Sequence, residues 1–390
     1  MTNHPTTQLA GWPSRAIGML AMALIATAAW NGPARGAEPS EEEQARALVK
    51  QLGDDVYVNR QLAAAKLQEL GLAAAKALEE GASSVDREIR YSCQRLLSEV
   101  RARQLNEMLD RFLQGREDEY PLPAWSRYKE RIGDSRASRQ LFVEMYRAEP
   151  DLLKAMEQNP AQASAAIYPR ARQVQEFSSR GAQLGLGDVA ALVFVGSDPE
   201  VEVNSQTYSY VTSLLHQPIV HKTMSGGVNK PLLAKMMGQW VLRGDSNLAY
   251  QSLLLAMQYQ LPEGIQAAEN TLKQSSPAPH VKQYAILTIA KLGDKRHISI
   301  LTELLEDSSP LQTRTINNVR SITQVRDVAL AAAVHLAGRP LRDVGFQADV
   351  MPDQQPFVIN PSQLGFKDEK ERKVVFDKWE TLKKELKLDQ

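Results

Sequence analysis

Residues 60–71 read Arg-Gln-Leu-Ala-Ala-Ala-Lys-Leu-Gln-Glu-Leu-Gly, and their spacing returns elsewhere along the chain. The skeleton Arg60-x-x-Ala63-x-x-x-Leu67-x-x-Leu70-Gly71 is matched by Lys282-x-x-Ala285-x-x-x-Ile289-x-x-Leu292-Gly293 and, nearly as well, by Arg326-x-x-Ala329-x-x-x-Ala333-x-x-Leu336. A shorter copy, Arg90-x-x-Cys93-x-x-x-Leu97, starts 30 residues after the first. Thr271-Leu-Lys-Gln-Ser-Ser-Pro277 is echoed 33 residues later by Leu304-Leu-Glu-Asp-Ser-Ser-Pro310. Steps of three and four residues line one face of a helix. A basic residue at the helix edge and a small residue three on let a neighbouring helix approach closely. The Leu or Ile four further on fills the seam. Offsets of this size fit two-helix repeat units.

Upstream of this stretch, Ala45, Leu48, Val49 and Leu52 keep helical spacing until Gly53-Asp-Asp55 breaks it. Downstream, Gly71 is a C-terminal cap, Leu72–Glu80 a further helix and Gly81-Ala-Ser-Ser84 a turn. Another helix starts near Val85-Asp86 and runs through Arg101. The whole chain of 390 residues is 43% apolar, 24% charged and 6% aromatic, a helix-forming composition. Its 46 basic and 46 acidic residues exclude a strongly basic nucleic-acid binder as a global description, and a single cysteine excludes a disulfide framework or a Cys-rich metal module.

The first 36 residues read as a secretory signal peptide. Residues 1–15 carry Arg15 and no acidic residue, Ala16–Ala29 is an uncharged apolar run, and Ala34-Arg35-Gly36 supplies small residues for cleavage before Ala37. That run spans about 21 Å as a helix, short of the roughly 30 Å bilayer core. Removing residues 1–36 leaves 44 basic against 46 acidic residues. No stable membrane span is expected after cleavage.

The middle of the chain does not align to the repeat. Tyr120-Pro-Leu-Pro123 reads as part of a linker over 120–137. Ser138–Met156 reads as two short helices broken at Pro150-Asp151, with Asp151 as a cap, and Gln173–Gln183, Gly187–Val195, Thr207–His216 and Lys230–Leu242 are further helix candidates. Gly196–Pro199 and Met224–Val228 are turns. Ala348–Gly365 reads as extended. Lys367–Leu388 returns to helix, with Val374, Val375, Trp379, Leu382 and Leu386 as its apolar stripe.

Leu52-Gly-Asp-Asp55, Arg60-x-x-Ala63, Leu70-Gly71, Ile89-Arg90, Gln324–Leu330, His335–Gly338 and Gly345-Phe346 carry a resemblance to HEAT-like α-helical repeats. More particularly, the chain resembles the repeat-bearing secreted proteins of unknown function of planctomycete bacteria. The resemblance covers roughly 41–113 and 246–340. It implies an all-α fold: an α-solenoid of HEAT-like hairpins with a less regular middle and a C-terminal capping helix. The expected order is the signal peptide over 1–36, N-terminal repeats over 37–119, the linker over 120–137, an irregular helical region over 138–245, C-terminal repeats over 246–346, an extended segment over 347–366 and the terminal helix over 367–390. The resemblance also implies a protein-interaction surface and carries no catalytic residues.

Residues with chemical potential read as structural ones. His216 and His221 are five apart across Pro218 with no carboxylate between them, so they do not form a zincin pair. His4, His280 and His297 stand alone, and His335 falls in a last helical turn, where an imidazole meets helix-end carbonyls. Ser126-Arg-Tyr-Lys129 has the Ser-x-x-Lys spacing without its companion motifs. Met224–Lys230 places glycines beside a lysine, as in an anion cradle or an ordinary connection. Between Arg87 and Arg139, eleven Arg and one Lys interleave with acids, as on a solvated helical surface. Cys93 stands where Ala63, Ala285 and Ala329 stand, the place of a buried packing residue. No catalytic, cofactor or metal residue is assigned, and the binding residues stay open. The expectation is an exported, non-enzymatic scaffold for a protein partner, with no nucleic acid. The alternatives are a self-assembling envelope component and an enzyme with a site in 138–245.

Overall fold

Ser40 starts the first helix: its hydroxyl accepts the Glu43 amide while the Glu43 carboxylate accepts the Ser40 amide. This computed structural model describes residues 40–244, 248–316, 318–348, 350–351 and 356–386, so the expected signal peptide lies outside the described residues. The described chain is predominantly helical. It divides into two compact units, one ending at Gln104 and the other beginning at Leu105.

In the first unit, α1 (Glu41–Gln51), α2 (Tyr57–Leu70), α3 (Ala75–Gly81) and the first turns of α4 (Arg87–Leu113) close on a core of Leu48, Leu52, Ala63, Leu67, Leu78, Cys93 and Leu96. The repeat motif predicts this core because its small position is the point of closest approach. Ala63 and Cys93 are both 0% exposed, and a Cβ on Gly81 would lie 2.5 Å from the Cys93 sulfur. Gly71 ends α2 at φ +56°, a conformation that disfavours a side chain. The basic position has the same job in both copies. Arg60 donates to the carbonyls of Asp54 (2.7 Å) and Asp55 (3.3 Å), and Arg90 donates to those of Ser84 (2.7 Å) and Val85 (3.4 Å). Each guanidinium therefore satisfies carbonyls that the preceding turn leaves without helical partners.

Burial pushes the Cys93 thiol up to about 11. The native chain is therefore expected to leave Cys93 unlabelled by a disulfide reagent at about pH 8, and denaturant is expected to expose one reactive thiol per chain. Labelling of the folded chain at the rate of a free thiol would contradict the packing role.

The second unit begins within α4 and continues through α5 (Trp125–Arg131), α6 (Arg136–Ala148), α7 (Pro150–Gln158), α8 (Pro160–Ser179), α9 (Leu186–Gly196), α10 (Ser205–Leu214), α11 (Pro218–Ser225) and α12 (Lys230–Val241). The break at Pro150 is as expected, but Asp151 lies in the first turn of α7 and does not cap it; Glu149 is the N-cap residue. The stretch 120–137, expected as a linker, carries α5. Its Trp125 and Tyr128 enter an aromatic cluster with Phe112, Phe142 and Phe194. The two prolines stop a helix only locally, and the apolar residues after them still find a core. Every residue of α9 except Asp188 is buried, as its apolar run demands, and it packs on α6, α8 and α12.

The unit continues with α13 (Ala249–Tyr259), α14 (Glu263–Leu272), α15 (Pro279–Leu292), α16 (Ile298–Thr302), β1 (Pro310–Ile316), β2 (Val319–Gln324), α17 (Val325–Leu336), α18 (Leu341–Val344) and α19 (Glu369–Glu385). Helices α13, α15 and α17 pack in succession, with Ala285 and Ala329 at 0% exposure. The antiparallel hairpin β1–β2 departs from the all-helical expectation for 246–346. Its cause is local: β-branched residues occur in both strands, Thr313 and Thr315 in β1 and Val319, Ile322 and Thr323 in β2, and Asn318 takes φ +60° in the turn. The two Ser-Ser-Pro segments therefore lead to different structures, Pro277 to a helix and Pro310 to a strand. Part of the segment expected as extended packs against the hairpin through an Ile322–Phe366 bridge, and Val358, Ile359 and Leu364 are buried. On α19, Val375 and Trp379 face inward as expected, while Val374 is exposed.

Candidate functional site

Seven of the thirteen large apolar side chains exposed among the described residues fall between Val56 and Tyr91, in the first unit. Val56, Tyr57, Val58 and Leu62 surround the start of α2; Val85 precedes α4 and Tyr91 lies in its first turns. Val58 and Leu62, four apart, share a helix face. The two helix starts are neighbours. Arg60 reaches Glu88 at 3.7 Å, and a Cβ on Gly53 would touch Ile89 at 2.9 Å. Asp54, Asp55, Asp86, Arg87 and Glu88 mix both signs of charge among these apolar residues. Such an edge is unusual on a surface that water alone must cover. The sequence reading missed it, although Val56-Tyr-Val58 beside a Gly-Asp-Asp turn is a legible signal.

The arginine-rich stretch behaves as internal ties. Within the first unit, Arg101 pairs with Glu79 and Arg95 with Glu99. Within the second, Arg127 and Arg131 converge on the buried Asp198 carboxylate, each at 3.3 Å, and Arg139 binds Glu117 and Asp134. In Ser126–Lys129, the Lys129 ammonium is held by Glu117 (2.8 Å) and Asp134 (3.2 Å), an engagement that suits no acyl-transfer base. Gly226 and Gly227 form the connection from α11 to α12, with Lys230 as the first residue of α12.

The histidines are dispersed. His4 lies outside the described residues, His280 is exposed, and His297 caps a short turn by accepting the Asp294 amide. His216 and His221 serve different partners: His216 hydrogen-bonds Gln258, and His221 meets the Tyr259 hydroxyl at 3.0 Å. No group of three metal-ligating side chains occurs among the described residues. Burial, and then the nearby His221, holds His216 below the ordinary histidine range.

Between α10 and α13 lies a cleft of about 580 Å³. Ser209, Ser213 and His216 line one wall, and Tyr250, Gln251 and Gln258 the other, with Leu254 as a half-buried apolar patch. Neither α10 nor α13 contains a charged residue. The Tyr250 ring stands 6.2 Å from Tyr284, which stands 5.9 Å from Phe357. Its hydroxyl accepts the Gln251 carboxamide at 3.1 Å. Behind the α10 wall, the buried Trp240 N–H donates to the Thr212 hydroxyl at 3.1 Å.

His335 hydrogen-bonds the backbone of Ala290 in the last turn of α15, a neighbouring helix's end and not its own. Burial holds its pKa below the ordinary value against that bond. The folded state therefore binds this proton more weakly than the unfolded state. Stability should fall as pH drops below the unfolded histidine value of about 6.5 and level off above it. His335→Gln should flatten part of that slope in urea midpoints measured between about pH 5 and 8; an unchanged slope would assign it to other groups.

Comparison with family models, with curated proteins and with solved structures returns no match.

Proposed function

We propose that the chain is an exported, non-enzymatic helical-repeat scaffold that binds another protein on the apolar edge formed by the starts of α2 and α4. In this reading the repeat helices belong to a HEAT-like α-solenoid, whose turns carry the docking residues. The observation that carries it is the concentration of exposed Val56, Tyr57, Val58, Leu62, Val85 and Tyr91 in one short span. Interface cores favour aromatic and aliphatic anchors, with charges at the rim. The mixed charges around this edge suit an uncharged or charge-balanced protein surface better than a phosphate backbone. Export rests on the N-terminal sequence, which has the three parts of a secretory signal.

A photocrosslinking residue at Val58 in the full chain tests this reading, with an equivalent residue at exposed Glu380 as control. A discrete heteromeric adduct is expected from position 58 in the exported fraction, with none from position 380. Leu62→Asp should reduce the adduct by about tenfold or more, since burying an unpaired charge costs at least one to two kcal/mol. An adduct of twice the chain mass would replace this reading with self-assembly. An adduct that survives Leu62→Asp would overturn the assigned edge.

A further inference from the structure

We infer that the cleft between α10 and α13 binds an uncharged saccharide, at a site separate in sequence and role from the protein-docking edge of the first unit. The first observation is compositional. From Val203 to His221, and again from Ser246 to Pro262, the chain carries no Asp, Glu, Lys or Arg, although charged residues make up 24% of it. Surface helices ordinarily keep charges on their solvent face. Here the half-exposed face is built of hydroxyls and carboxamides, and the two charge-free helices pack against each other.

The second observation is geometric. The cleft walls supply both donors and acceptors in neutral form: Ser209 and Ser213 hydroxyls, Gln251 and Gln258 carboxamides, and the His216 ring. The Tyr250 oxygen already accepts from Gln251, which leaves its own O–H to donate into the cleft. Vicinal hydroxyls of a sugar both donate and accept, so they match such a lining. A charged ligand would lose hydration here with no opposite charge to receive it. The third observation is the aromatic series Tyr250, Tyr284 and Phe357, which fixes the orientation of the Tyr250 ring. An amphipathic ring of this kind offers a face to the C–H side of a pyranose while its hydroxyl stays polar. Leu254 and Pro356 are the aliphatic residues of the lining and, with the Tyr250 ring, give it the apolar surface against which the C–H faces of a sugar pack.

The test is calorimetric titration of the full chain with neutral hexasaccharides of glucose (β-1,4 and α-1,4 linked) and of N-acetylglucosamine, with polygalacturonate as the anionic comparison and a Gly-Ser-Gln peptide as the polar peptide comparison. At least one neutral saccharide is expected to bind with a Kd below about 1 mM. Tyr250→Ala should weaken it by about tenfold or more. Ser213→Glu changes an exposed position and places a carboxylate at the cleft rim, so it should abolish binding while leaving the melting temperature unchanged. Leu62→Asp, in the first unit, should leave saccharide affinity as it is, which separates this site from the docking edge. Absence of binding to every neutral saccharide, tighter binding of polygalacturonate or of the peptide, or retention of affinity in Ser213→Glu would each overturn the inference.

Discussion

Replacing Arg372 by Ala is expected to destabilise the second unit by roughly 3–5 kcal/mol. Arg372 lies on α19, and its Nε donates to Asp327 Oδ1 at 2.8 Å while one terminal nitrogen reaches Oδ2 at 3.3 Å and the Ile322 carbonyl at 3.1 Å. The other terminal nitrogen binds Glu369. Asp327 is 0% exposed, and Arg372 is 4% exposed. Asp327 also accepts the Gln324 amide at 2.8 Å, which caps α17. Removing the guanidinium leaves a buried carboxylate without its counter-charge, and the cost is that of the orphan, not the worth of the pair. The double change Asp327→Asn with Arg372→Met should therefore recover more than half of the loss, because the amide still accepts from Gln324. The described tryptophans, Trp125, Trp240 and Trp379, all belong to this unit, so urea denaturation followed by tryptophan fluorescence reads the transition directly. A single variant that unfolds at the parent's urea midpoint would remove the ion pair from the account.

Gly187→Ala should cost about 3 kcal/mol or more, at the upper end of overpacking effects. Gly187 sits in α9 where it crosses α6. A Cβ there would lie 2.3 Å from the Glu144 carbonyl oxygen and 3.1 Å from the Met145 nitrogen. Both neighbours are backbone, which cannot rotate away. Alanine gains about 1 kcal/mol of helix propensity over glycine, too little to offset the collision. Gly226→Ala supplies the control. Its backbone is extended and nothing lies within 4 Å of the added carbon, so a neutral or slightly stabilising change of up to about 1 kcal/mol is expected. Equal midpoints for the two variants in urea would show that α6 and α9 do not cross this closely.

The repeat motif was legible because helical periodicity is a local property. Ala63, Cys93, Ala285 and Ala329 were singled out by spacing alone, and all four are fully buried. Helix ends at Gly71 and Pro150 were legible for the same reason, since φ preference and a missing N–H act on the residue that carries them. The basic position was only half legible. Its place at a helix edge followed from the spacing, but its partner did not: Arg60 and Arg90 bind turn carbonyls, Lys282 binds Asp307, and Arg326 binds Glu369.

The cleft had a signal that went unread. Two charge-free stretches rich in Ser, Thr, Tyr and Gln stand out by composition, yet neither one is a site alone. They become one only when α10 and α13 pack together with Gln258 beside His216. The Ser-x-x-Lys spacing shows the converse. Ser126 and Lys129 are close in sequence, but Lys129 is claimed by Glu117 and Asp134 from elsewhere in the chain.

By itself, then, the sequence determined the helices that carry the repeat motif and which of their positions must be small or apolar, because propensity, capping and periodicity operate within a few residues. Tertiary structure alone decided the burial of α5 beyond its prolines, the Asp327–Arg372 pair, and the meeting of α10 with α13. Each of these depends on groups tens of residues apart, whose contact free energies come from exclusion of water and pairing of charge at sites that exist only once the chain has folded.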